Sequence, residues 1–202
     1  MDEAQSKHND ILSVLGIAGS PRRGGNTDLL LEQALAGAAG QGAETQRVVL
    51  SDLCIHPCRH CGGCQETGRC VVQDDMQAVY PKLRAMDALV LATPIFFMGP
   101  TAQTKAMIDR LQCLWVAKHV LKQPVYDKGF RQRGGLLIAA GGTTYSTVFR
   151  PLEIIGRAAF ATLDVAYGNN LFFSGIDEKG AIRKHPTALG DALRAGAALG
   201  KA

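Results

Sequence analysis

The stretch Ile11-Leu-Ser-Val-Leu-Gly-Ile-Ala-Gly-Ser-Pro-Arg-Arg-Gly-Gly-Asn-Thr27 changes its patterning halfway along. Residues 11–18 form a continuous apolar run, which marks a strand buried on both faces. Beyond the Gly19-Ser-Pro turn, residues 27–40 carry Leu29, Leu30, Ala34, Leu35 and Ala38 at helical spacing. A buried strand, a glycine-rich turn and a helix make one β-α unit.

The same alternation continues along the chain. Residues 45–50 read as a second strand, and Asp74-Asp75 can cap a helix that runs through Met86. Then come a strand at 88–92, a long helix at 101–120, a strand at 135–140, a helix at 147–163, a strand at 165–173 and a closing helix at 186–199. Strict alternation predicts a parallel sheet with helices on both faces. Five strands predict an α/β, flavodoxin-like, doubly wound parallel sheet of order 2-1-3-4-5. Residues 1–10 are expected to be disordered, and 11–202 to form a single domain with a cysteine-rich loop at 54–72.

Composition agrees with one well-filled core: 202 residues, 47% hydrophobic and 20% charged. No run approaches the ~18 apolar residues of a membrane span. The acidic start lacks the basic-then-apolar order of a signal peptide. A cytoplasmic protein without a membrane partner is expected. The net charge of +4 comes from dispersed basic residues, which gives no reason to expect a nucleic-acid partner.

In such a sheet, ligands bind beyond the strand C-termini where the winding reverses, between strands one and three. Loop 19–27 opens directly into a helix, whose unpaired N–H groups and partial positive charge suit a phosphate. The Ser20 and Thr27 hydroxyls and Asn26 add donors. The loop lacks both the Lys-Ser/Thr ending of a triphosphate loop and G-x-G-x-x-G, so a monophosphate is expected. Thr93-Pro-Ile-Phe-Phe-Met-Gly-Pro-Thr101 sets Phe96, Phe97 and Met98 where a flat ring could lie along main-chain N–H groups of residues 95–99. Gly141-Gly-Thr-Thr-Tyr145 is a third polar loop at the same edge.

Four of the six cysteines fall within residues 58–70, as Cys58, Cys61, Cys64 and Cys70, spaced C-x2-C-x2-C-x5-C. A reducing compartment disfavours disulfides. Structural zinc usually draws thiolates from two separated C-x2-C knuckles. Three cysteines at successive two-residue gaps can instead wrap one cubic cluster, with the fourth arriving from nearby. On the residues alone, an iron–sulfur cluster, zinc and unligated thiols all stay open.

The motifs at 19–27, at 93–105 running on to Ile108-Asp-Arg110, and at Gly141-Gly142 resemble the NADPH-dependent FMN reductase superfamily. The cysteine set resembles its iron–sulfur flavoprotein branch. That resemblance implies that Ser20, Arg22, Asn26 and Thr27 hold the FMN phosphate. It implies that Pro94, Ile95, Phe96, Phe97, Met98 and Gly99 line the isoalloxazine, with Gly141, Gly142 and Thr143 closing its other side. Cys58, Cys61, Cys64 and Cys70 would carry a 4Fe–4S cluster beside it. Two departures are Phe96, where tyrosine is frequent, and Thr104, where an aliphatic residue is common.

The implied activity is an FMN-dependent oxidoreductase, linked to NAD(P)H or ferredoxin, that converts between two-electron flavin and one-electron cluster chemistry with no dedicated catalytic acid–base pair. NAD(P)H as donor, ferredoxin or small-molecule electron partners, and a homodimer or homotetramer complete the expectation. The alternatives are a cluster-free NAD(P)H-dependent FMN or quinone reductase, and a non-catalytic flavodoxin-like carrier or zinc-bearing module.

Overall fold

Ser13–Ala18 forms strand β1, and its side chains split between two cores: Leu15 and Ile17 face one layer, Val14 and Ala18 the other. A strand buried this way needs parallel neighbours and helices on both sides. The computed structural model, which describes residues 11–128, 133–168 and 170–201, supplies both. The expectation of disorder at 1–10 lies outside the described residues.

The elements follow as α1 (Asn26–Ala39), β2 (Glu44–Val49), α2 (Met76–Ala85), β3 (Ala88–Pro94), α3 (Ala102–Asp109), α4 (Gln112–His119), β4 (Gly134–Gly141), α5 (Arg150–Thr162), β5 (Asn170–Ser174) and α6 (Ala188–Leu199). The strands form one five-stranded parallel sheet of order β2-β1-β3-β4-β5. This is the flavodoxin-like topology expected from the alternation. Helices α1 and α6 cover one face, where a Cβ on Gly196 would stand 1.8 Å from the Ala34 carbonyl oxygen, so only glycine lets the two backbones meet. Helices α2, α4 and α5 cover the other face, around Leu83, Leu114 and Phe160.

The single helix expected over 101–120 is two helices. At the break, the Leu114 N–H bonds the Leu111 carbonyl at 2.9 Å, which leaves the Arg110 carbonyl to accept from the Tyr80 hydroxyl at 2.9 Å. The Arg110 side chain turns inward with no exposure. Apolar periodicity runs unbroken through this point, so it carries no trace of the break. The fifth strand is also shorter than 165–173: Val165 makes only an isolated bridge to Arg133.

At the strand N-termini, buried Arg133 donates to the Leu83 carbonyl at 2.8 Å and to the Met86 and Leu163 carbonyls, tying the ends of α2 and α5 together. The opposite edge is left to loops. Among the described residues no helix is long and apolar enough to cross a membrane.

Candidate functional site

Among the described residues, two of the cavities at the C-terminal edge of the sheet gather residues named from sequence. The first is lined by Ser20, Pro21, Arg22, Gly25, Asn26 and Thr27 from the loop after β1, by Pro94 to Phe96 after β3, by Ala140 to Gly142 after β4, and by Ile176, Asp177 and Lys179 after β5. Helix α1 starts at Gly25 with no side-chain cap, so its first N–H groups face this cavity rather than a capping oxygen. Asp28 in the first turn would repel an anion. Its carboxylate is instead engaged by the Gly24 N–H at 2.7 Å and by the Arg47 guanidinium. The cradle therefore keeps its positive character, and its donor set fits a phosphate.

Beneath it lies a buried hydroxyl cluster. The Thr101 hydroxyl donates to the Gly19 carbonyl at 2.6 Å and meets the Thr104 hydroxyl at 2.9 Å, while the Thr93 hydroxyl accepts from the Thr101 N–H at 3.2 Å. Thr104, a departure from the resembled pattern, thus belongs to the joint between the loop after β1 and the start of α3.

Not every residue named from sequence lines this cavity. Ser20, Arg22, Asn26, Thr27, Pro94, Ile95, Phe96, Gly141 and Gly142 do; Phe97, Met98, Gly99 and Thr143 stand outside its lining. Phe96 and Gly99 close a tight turn through paired backbone bonds of 3.0 Å, with Phe97 at φ 47° and Met98 at φ 64°. The Phe97 side chain is wholly exposed. Asn26 uses both ends of its amide, donating to the Glu178 carbonyl at 2.9 Å and accepting from the Ile182 N–H at 3.1 Å, which fastens the loop after β5 over the cradle. Sequence reasoning missed Ile176, Asp177 and Lys179. The available signal was that Gly175-Ile-Asp177 follows the last strand at the ligand edge.

The second cavity gathers Cys58, Cys61, Cys64 and Cys70, with Arg59, His60, Arg110 and Cys113 in its wall. Cys61 is exposed, the other three are partly buried, and all four are free. Gly62 at φ 73° and His60 at φ 51° turn the chain around the cavity. Burial pushes the Cys64 thiol up, and the charges of Cys70, Cys58 and Cys61 push it further. Gathering four thiolates here requires cations. Among the described residues no group of three or more His, Cys, Asp or Glu side chains closes around a single metal ion.

Two acids and one arginine shape the base of this loop. Arg110 donates to the Asp74 carboxylate at 2.6 and 3.1 Å, to the His56 carbonyl at 2.9 Å and to the Val72 carbonyl at 3.3 Å. Burial alone would raise the Asp74 pKa, yet hydrogen bonds from Arg110 and from the His56 and Met76 N–H groups hold it at about 2. Asp75 accepts from the Cys54 N–H at 2.7 Å. Helix α3 is eight residues long, or about 12 Å. It runs from Thr101 under the first cavity to Arg110 at the second.

Comparison with known proteins gives the family of the chain. The profile of the NADPH-dependent FMN reductase family matches residues 12–149. An iron–sulfur flavoprotein of Methanosarcina thermophila is 32% identical over 165 residues, 82% of each chain. An iron–sulfur flavoprotein of Methanocaldococcus jannaschii is 40% identical over 99 residues, 49% of this chain and 51% of that protein. Among solved structures, the NAD(P)H:quinone oxidoreductase from Methanothermobacter marburgensis superposes with a TM-score of 0.70 at 16% identity, covering 94% of this chain and 96% of that one, a likeness of fold. The chain therefore belongs to the iron–sulfur flavoprotein branch of the NADPH-dependent FMN reductase family and is an FMN-dependent oxidoreductase.

Proposed function

We propose that this protein is an electron-transfer iron–sulfur flavoprotein, with FMN in the first cavity and a 4Fe–4S cluster on Cys58, Cys61, Cys64 and Cys70. The observation that carries the reading is the presence of all four cysteines in one cavity, one short helix away from a phosphate-type cradle at the same sheet edge. Bound there, FMN supplies two-electron chemistry and the cluster one-electron chemistry, so the pair links hydride donors to single-electron carriers.

The chain's own residues bind and orient. Ser20, Arg22, Thr27 and the first N–H groups of α1 hold the phosphate, and Asn26 braces the loop that covers it. Pro94 to Phe96 and Gly141–Gly142 form the walls along which the ring lies, with Thr143 at their margin. In the turn that follows, the Ile95, Phe96 and Gly99 N–H groups are committed to protein carbonyls, so the Phe97 and Met98 N–H groups, outside the cavity's lining, are the turn's donors for the part of the ring that extends beyond it. No side chain is assigned as a catalytic acid or base.

Mononuclear zinc is the weaker occupant of the cysteine cavity. A tetrahedral ion with bonds of about 2.3 Å needs its sulfurs within about 4 Å of one another, and no such group closes among the described residues. A cluster places iron and sulfide between more widely spaced thiolates, which suits a cavity. NAD(P)H or ferredoxin is the proposed electron donor, the cytoplasm the setting, and a homodimer or homotetramer the assembly. Exposed Phe97, Tyr145 and Ile154 offer apolar surface to a second copy.

Anaerobic purification with flavin, iron and sulfide analysis tests the reading. One FMN and about four irons per chain, with visible absorption bleached by dithionite, are expected. FMN without iron after anaerobic reconstitution leaves a cluster-free reductase; one tightly bound zinc overturns the cluster assignment.

A further inference from the structure

Loop 57–71 carries every proposed cluster ligand and no strand or helix, so its shape depends on how its two ends are held. One side chain reaches both ends. The Arg110 guanidinium, with no exposed surface, contacts the His56 carbonyl before the loop and the Val72 carbonyl after it, and grips Asp74 with two nitrogens. Asp74 reaches back to the entry side by accepting from the His56 N–H at 2.9 Å. Gln77 reinforces the exit, donating to the Cys70 carbonyl at 3.1 Å and the Val72 carbonyl at 2.7 Å. The break between α3 and α4 serves the same joint, since the Arg110 carbonyl it frees is anchored by Tyr80.

A buried ion pair is costly to desolvate and is a poor way to add stability. What this one adds is geometry: a planar fork fixes four acceptors at once, which a flexible ammonium cannot do. We propose that Arg110, clamped by Asp74, is the positioning residue of the cysteine loop. It holds the loop's two ends together so that the thiols face one cavity before any metal arrives, which reduces the ordering that binding must supply. This inference rests on the cluster reading of that cavity only for its consequence; the clamp itself can be tested without metal.

The test compares wild type, R110K, R110Q and D74N. In metal-free, FMN-loaded protein, amide exchange across residues 54–73 is expected to accelerate about tenfold in R110Q while the sheet and the FMN cradle stay within about twofold of wild type. R110K keeps the charge but cannot span the same acceptors, so it is expected to behave like R110Q. D74N keeps the arginine's bonds to His56 and Val72, and an intermediate acceleration confined to the same segment is expected. After anaerobic incubation with ferrous iron and sulfide, the variants should lose iron to a chelator at least about tenfold faster than wild type.

Full recovery by R110K would show that charge alone matters and overturn the clamp. Unchanged exchange in both D74N and R110K overturns it as well, even where R110Q unfolds. A wild type that takes up no iron refutes the cluster assignment instead, and the exchange data still decide the clamp.

Discussion

The hydroxyl of Thr101 donates to the carbonyl of Gly19 at 2.6 Å, joining positions 82 residues apart. The contact leaves no room for a side chain at Gly19, where a Cβ would stand 2.0 Å from the Thr104 hydroxyl oxygen. G19A is therefore expected to destabilise the protein by about 3 kcal/mol through overpacking. The double variant G19A/T104A should recover part of that loss, because it removes the closest clash. Denaturant unfolding of the two variants checks this.

Asp74 links stability to acid pH. Its native pKa of about 2 lies below the ordinary 3.8, so the stabilisation is fully present above pH 4 and disappears as pH falls towards 2. With the carboxylate almost wholly buried, the contribution at neutral pH is about 2 kcal/mol. D74N should be less stable than wild type by at least this amount at pH 7, and the gap should narrow between pH 4 and pH 2. Urea midpoints across that range measure it.

Lys179 lies against Gly24, its Cε 3.8 Å from where a Cβ would sit, in the wall of the first cavity, the proposed phosphate cradle. A lysine there favours a dianion over a neutral group. K179A is expected to weaken FMN binding about three- to tenfold and to leave riboflavin binding unchanged. Equal losses for both flavins would assign Lys179 to the ring instead. N26A should weaken both, because it releases the loop that Asn26 holds at Glu178 and Ile182. Fluorescence titration with the two flavins separates these outcomes.

Phe97 occupies left-handed backbone at φ 47° with its ring in solvent. A non-glycine residue pays about 1 kcal/mol for that conformation. F97G is expected to raise the unfolding free energy by about that amount and to lower turnover with electron acceptors, the mark of a strained residue kept for contact rather than stability. Stability curves alongside steady-state rates test both halves.

The cysteine loop shows where sequence reading reached its limit. Local rules determined a good deal: the doubly buried run at 11–18, the helix after Gly25, the order of alternating elements and the spacing of four cysteines are all written in neighbouring residues. From these follow the five-stranded sheet and the edge at which its loops converge, because a parallel sheet can be wound from such units in few ways. Arg110 is legible only as the last residue of the motif that runs from 93 to 110, and that motif does not say what its guanidinium touches. It stands in an apolar helical pattern that continues on both sides, and its partners His56, Val72 and Asp74 are 36 to 54 residues away. Asp74 reads locally as part of a helix cap; the cap position of α2 is Asp75, and Asp74, one residue earlier, accepts from the Met76 N–H at 3.1 Å.

The sequence by itself thus determined the fold, because periodicity is a local property of the chain, and, through the resemblance its motifs carry, the FMN-dependent oxidoreductase family. Only the tertiary structure decided that the loop after β5 joins the first cavity, that Asn26 braces it there, and that Arg110 ties the two ends of the cysteine loop. The Arg110 contacts depend on long-range burial, which leaves its guanidinium no water to bond, whereas Asn26 meets its partners near the surface because the sheet brings the loops after β1 and β5 to the same edge.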